Sequence, residues 1–336
     1  MTDDDPKGEA TRSRDARRTG DPSRPRTANR RAVLRTAVAT GAAVVWGAST
    51  VAGVPRRESD PGGSSAGGFP PEGITEHGDA VDLGNGSVRT FTAETPSGEP
   101  KYHGVEFDRA ALGGVPGTEE LEEATEGTYP DKYGPSGEAL VVHGRWSLEF
   151  FVPFPDAAET PFTFLGLNWN PGGHPGGEGA WEVPHFDIHF HMLETDAVDA
   201  ITGPAPAPYD GIPGDRIPEG YLRSPPATAE ERYITDMGEH LAPEDAPEIP
   251  ADPDAFTTTL IQGFVGVGAD DSDPRLAFLE PMITRAFLRG FEGSETYEIP
   301  QPRTFPHDRQ HPTVYGLRDV PARDAIAVML GGFERV

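Results

Sequence analysis

The chain has 336 residues and no cysteine, which excludes disulfides and thiolate metal sites. Its net charge of −27 is unevenly spread: residues 1–57 carry 12 Lys+Arg against 6 Asp+Glu, whereas residues 58–336 carry 16 against 49. So acidic a body disfavours nucleic acid and anionic membranes as partners; with lysine only at positions 7, 101 and 132, it points to a halophile, an archaeon, where high salt screens the self-repulsion.

The basic start has its own reading. Asn29-Arg30-Arg31-Ala32-Val33-Leu34-Arg35 precedes an uncharged, mildly apolar run from Thr36 to Pro55. Twin arginines before a weak hydrophobic segment predict a Tat export signal over residues 1–55, cleaved near Ala52, with a disordered n-region over 1–29. The alternative is an N-terminal membrane anchor, for which Gly41, Gly47 and Gly53 are poor material. With no cysteine there is no lipid attachment. The expected location is extracytoplasmic, secreted or at the cell surface. Residues 56–75 read as a flexible linker, and 76–336 as a single β-rich domain.

Within that domain, 41 Gly and 36 Pro favour turns and short strands. Strands are predicted over 87–93 and 102–107, as a hairpin, then over 147–152, 162–169, 184–192, 257–267 and 275–280. Short helices are predicted over 118–125 and, after Pro281, over 282–288. The Pro-rich acidic stretches 202–228 and 241–254 read as loops and as surface embellishments. The pattern implies a mainly β fold, an antiparallel β-sandwich or jelly-roll-like barrel with long Pro/Gly/acidic loops and few short helices.

The most informative strand is Pro184-His185-Phe186-Asp187-Ile188-His189-Phe190-His191-Met192. Side chains alternate along a strand. His185, Asp187, His189 and His191 therefore share one face, and the aromatic and aliphatic residues take the other. Three imidazoles and a carboxylate form a metal-site pattern suited to Zn, Fe, Mn or Cu. Same-face neighbours lie about 6.6 Å apart and i to i+4 about 13 Å. His185 and His189 of a straight strand therefore cannot share an ion, unless Pro184 bends the strand start. One ion would take Asp187/His189 or His189/His191, with further ligands from elsewhere.

The candidates elsewhere are His174, in a glycine-rich loop able to fold back, His240, and Glu280, a charge inside an apolar run. His307 and His311 read as solvated, and His103 and His143 as ordinary polar positions. Trp146, Trp169 and Trp181 read as core or site walls. The competing readings of the strand are a hydrogen-bonded polar cluster without metal and a solvated face.

Four segments carry a resemblance: Gly84-Asn85-Gly86 through Gly98-Glu99-Pro100 and Gly104-Val105; Leu167-Asn168-Trp169-Asn170-Pro171, Gly173-His174-Pro175 and Pro184 to Phe190; Met237-Gly238-Glu239-His240; and Phe278-Leu279-Glu280-Pro281-Met282-Ile283-Thr284. Together they resemble a family of exported, largely uncharacterised bacterial and archaeal proteins typified by a hypothetical Thermus protein under an extracytoplasmic sigma factor. This chain would be a haloarchaeal-type member. The resemblance implies a β-rich domain and a site at His174, His185, Asp187, His189 and His240. At position 191 the family more often has an aromatic residue, so His191 is not implied as a ligand.

Three functions follow. The first is an exported protein with a His/Asp metal site on a β-strand, its partners a metal ion and a small-molecule ligand. The second is a metal-dependent enzyme, a hydrolase or a cupin-like oxygenase. The third is a non-catalytic, homo-oligomeric envelope or stress protein whose polar cluster holds no metal. Gly-x-Ser-x-Gly and a phosphate-binding glycine loop are both missing, which argues against a serine hydrolase and against nucleotide use.

Overall fold

A computed structural model describes residues 68–336 except 125–126, 176–178, 224–225 and 250–251. The predicted export signal and most of the predicted linker lie outside the described residues. The linker's end does not behave as one. Phe69 is buried against Phe91 and Tyr102, and its carbonyl accepts from Arg323.

The strands are β1 (Thr75–Leu83), β2 (Gly86–Glu94), β3 (Pro100–Asp108), β4 (Pro130–Asp131), β5 (Gly137–Val142), β6 (Arg145–Pro153), β7 (Phe164–Asn170), β8 (His185–His191), β9 (Tyr221–Arg223), β10 (Tyr233–Ile234), β11 (Gly238–Pro243), β12 (Thr258–Val267), β13 (Asp273–Thr284), β14 (Ser294–Glu298), β15 (Gln310–Val320) and β16 (Ala325–Arg335). The helices are one or two turns long: α1 (Thr118–Glu122), α2 (Thr195–Asp199) and α3 (Arg285–Gly290). Two antiparallel sheets result. One runs β1-β2-β3-β16-β15-β14; the other runs β10-β11-β12-β13-β8-β7-β6-β5-β4, with β9 on β11. Neither sheet closes on itself, so of the two expected architectures the sandwich is the one seen.

Alternation decides which side chains fill the sandwich. Val105, Phe107, Ile326, Val328 and Leu330 of the first sheet share one apolar cluster with Phe150, Leu167, Phe186, Ile188 and Phe190 of the second. The other face of the second sheet is buried too. Tyr209, Ile212, Tyr221 and Tyr233, from the stretches between β8 and β12, pack on it with Met237, Phe278 and Met282. The acidic stretches 202–228 and 241–254 are thus a covering layer carrying β9 and part of β11. Apart from the buried Glu248, their acidic residues point outward, and spaced aromatics point in.

One predicted helix starts too early. Residues 282–284 continue β13, and the helix begins only at Arg285. Pro281 marks no helix start. It lies within the strand, where β13 pairs with β8 at Leu279↔Phe190 and again at Met282↔Asp187 but not between. Proline has no N–H to give the ladder. The unchanged register sets Glu280 opposite His189 at this gap.

Two glycines make room on the same face. A Cβ at Gly263 would lie 1.9 Å from Phe278 Cζ, and one at Gly166 would lie 2.8 Å from His191 Nε2. Gly263→Ala should therefore destabilise the fold by about 1–3 kcal/mol through overpacking, seen as a lower urea midpoint at unchanged m-value.

A buried histidine in the first sheet gives a pH dependence. His103 is fully buried, between Thr92 Oγ1 at 3.1 Å and Thr160 Oγ1 at 2.7 Å. Burial lowers its pKa to about 3 from 6.5. The unfolded chain therefore binds this proton below pH 6.5 while the folded chain refuses it. The stabilisation is intact above pH 6.5 and is lost as pH falls toward 3, at up to about 1.4 kcal/mol per pH unit. Denaturation curves from pH 7 to 4 should show a slope shallower by about this amount in His103→Gln than in the unaltered chain.

Candidate metal centre

β8 places its two sets of residues as alternation demands. Phe186, Ile188 and Phe190 enter the sandwich core, and His185, Asp187, His189 and His191 face the covering layer, all of them buried. They do not act as one group.

The first group is His174, His185 and Asp187. His185 and Asp187 are same-face neighbours on β8. His174 comes from the loop after β7, which turns back because Gly173 adopts φ +63 and any side chain there would collide with the Trp181 carbonyl. The His174 N–H donates to that carbonyl at 3.2 Å. Trp181 stands edge-on to His174 and donates its indole N–H to Glu248 at 3.0 Å. A buried glutamate of the acidic stretch 241–254 thus anchors the loop that carries His174.

The second group is His189, His240 and Glu280. β11, β12, β13 and β8 are adjacent strands. His240 of β11 therefore reaches Glu280 of β13 across the side-chain-free Gly263, which pairs with both His240 and Phe278.

The distances suit an ion in each group. His174 Nε2 is 3.3 Å from Asp187 Oδ2, and His185 Nε2 is 3.0 Å from Asp187 Oδ1. His189 Nε2 and His240 Nε2 are 3.5 and 3.6 Å from the Glu280 oxygens. Ligands bound tetrahedrally at about 2.0–2.1 Å stand about 3.3 Å from one another.

The alternative of a hydrogen-bonded polar cluster fits less well. Nε2 of His174, His185 and His189, Oδ1 of Asp187 and Oε2 of Glu280 are all buried without a hydrogen-bond partner. Meanwhile the Nδ1 atoms of His174, His185 and His189 sit 3.4, 2.7 and 3.3 Å from the carbonyls of Pro175, Val183 and Gly166. A carbonyl takes an N–H, so Nδ1 carries a proton and Nε2 is the ring atom turned toward the carboxylate. Asn170 supports the carboxylate, donating to Asp187 Oδ2 at 2.7 Å.

The charge states of the second group's imidazoles agree with this. Burial opposes ionisation of Asp187, but His185 and His174 outweigh it and hold the carboxyl well below its usual range. Burial lowers His189 to about 4 and His240 to about 3, so both imidazoles are neutral, as metal ligation requires. Burial, assisted by Asp187, pushes Glu280 well above the usual range.

Of the five residues singled out in the sequence, three meet in the first group and two in the second. The expected chelates Asp187/His189 and His189/His191 do not form. His191 belongs to neither group; it stacks on Phe164 at 4.4 Å over Gly166. His311 is not solvated but fully buried at the start of β15, beside Phe305 and stacked with His307. His143 is not an ordinary polar position either. Its ring lies 4.5 Å from His174 and 5.5 Å from His240. Residues 137–142 went unpredicted as a strand, so the one signal for His143 as a hairpin tip, a His-Gly pair between two strand-like runs, was missed.

Beside the centre lies a buried charge cluster. Lys132 Nζ contacts Asp236 at 2.5 Å, Asp199 at 2.8 Å and Glu149 at 4.0 Å. Asn168 donates to Glu149 at 3.1 Å. Burial and Asp236 raise Glu149 to about 8, with Lys132 opposing.

No protein-family model, no curated protein and no solved structure matches the chain.

Proposed function

We propose that this chain is an exported metalloprotein that holds two divalent transition-metal ions, one in each His/His/carboxylate group. The observation that carries the reading is the set of buried, unpartnered Nε2 atoms facing Asp187 and Glu280 while their Nδ1 atoms face carbonyls. Nitrogen and oxygen donors without sulfur suit Zn, Fe, Mn or Cu. Asp187 and His189 are successive same-face residues, about 6–7 Å apart. Two separate ions fit that spacing better than a bridged pair at about 3.5–4 Å.

Titrating the metal-free protein with Co²⁺ tests this. The expected result is visible absorption that saturates at two equivalents. Absorption that never rises above that of free Co²⁺ would refute the reading.

The enzyme reading is favoured by one feature. Three protein ligands leave a coordination position open for water or substrate, and the His240 side chain, at 15% exposure, is the most accessible of the six. The twin-arginine segment and the acidic body support export and a saline environment. We expect the unfolding temperature to rise steeply with KCl up to molar concentration; a midpoint indifferent to salt would contradict the halophile reading. The four sequence segments support membership in the sigma-factor-linked family.

A further inference from the structure

We infer that His143 is a shared, exchangeable metal ligand spanning the outer side of both groups and governing how ions enter and leave. The inference rests on the two-ion reading above and adds a residue and a role to it.

His143 and Gly144 form the two-residue turn between β5 and β6, closed by the pair Val142↔Arg145. Both have positive φ, +51 and +73. Such turns favour Asn, Asp or Gly at the first position, because an ordinary side chain is strained at positive φ. The turn itself gives no reason for histidine. Strain of this kind is tolerated where the side chain has a use.

The side chain points to the use. Two imidazoles on one ion, each about 2.0–2.1 Å from it, have ring centroids about 4.5–5.2 Å apart. His174 and His185, of one group, are 4.6 Å apart. His143 is stacked on His174 at 4.5 Å with the planes 21° apart, and stands edge-on to His240 at 5.5 Å. His143 thus lies against both groups and within neither, and it reaches either ion only by turning off the His174 ring. No hydrogen bond to a described residue fixes its ring, unlike those of His174, His185 and His189. It is half-buried, whereas His174, His185 and Asp187 are closed off. A ligand on a hairpin tip, unfastened and partly exposed, can leave and return without disturbing β8.

The test compares His143→Asn and His143→Phe with the unaltered protein, each loaded with Co²⁺ and mixed with excess EDTA. Asn suits the turn but cannot replace the ring. Phe keeps the ring on His174 but has no nitrogen. Both should keep the fold, release metal about tenfold faster and alter the Co²⁺ spectrum. If His143→Phe keeps the original rate and spectrum, the ring merely packs and the inference is overturned. If both variants match the unaltered protein, it is likewise overturned while the two-ion reading stands. If the unaltered protein binds no Co²⁺, the two-ion reading fails and this inference fails with it.

Discussion

Stripping the metal with a strong chelator is expected to lower the unfolding temperature by roughly 10 °C for each ion removed. An ion that binds only the folded chain, at about a thousand times its dissociation constant, stabilises it by about 4 kcal/mol. For a domain of this size each kcal/mol moves the midpoint by about 2–4 °C. Removal also returns Nε2 of His185 and His189 and Oδ1 of Asp187 to a buried state without partners, at about 1–3 kcal/mol for each group left unsatisfied. Differential scanning calorimetry of the chelated and reloaded protein, at fixed high salt, reads the difference. Recovery of the original midpoint on adding back one metal and not another would identify the ion. Identical midpoints before and after chelation would contradict the account.

The second large effect lies next to the metal groups and does not depend on them. Lys132→Ala should destabilise the protein by about 3–5 kcal/mol, because it leaves the buried Asp236 carboxylate without its cation. Lys132 is 11% exposed, Asp236 7% and Glu149 1%, so water cannot take over the cation's part. The reverse also follows. In Lys132→Met/Asp236→Asn, where both charges go and the volume is kept, much of the loss should be recovered. Urea denaturation of the three proteins measures both numbers. A loss under about 1 kcal/mol in Lys132→Ala would mean that this cluster is screened as a surface pair is.

The strand that carries the centre was legible because its chemistry coincides with a period of two. Phe186, Ile188 and Phe190 needed a core, and the polar residues between them had to face elsewhere. Strand rise alone separated His185 from His189, and the glycines before His174 allowed it to return to β8. Glu280 could be read as either edge-exposed or buried with a partner, and the partner could not be named. Its partners depend on the register of β11, β12, β13 and β8, which local pattern does not encode. Pro281 was misread because proline before an apolar run is a common helix start. In the fold, its missing N–H opens the ladder beside His189.

The covering layer was the least legible part. Its segments are Pro-rich and acidic, as surface loops are, and only sparse aromatics such as Tyr209 and Tyr221 betray that they bury the histidine-bearing face of the second sheet. β15 and β16 went unpredicted although Ala325 to Leu330 is a continuous apolar run. Burial on both faces removes the alternation by which strands are recognised.

Elemental analysis of the mature protein, purified in high salt without a histidine tag, tests the central claim most directly. It should be run beside the His185→Ala/His189→Ala variant, which takes one ligand from each group. The account predicts two transition-metal ions per chain in the unaltered protein and close to none in the variant. A protein that carries no metal, with a variant that folds as stably as its parent, would contradict it and leave a metal-free polar cluster as the reading.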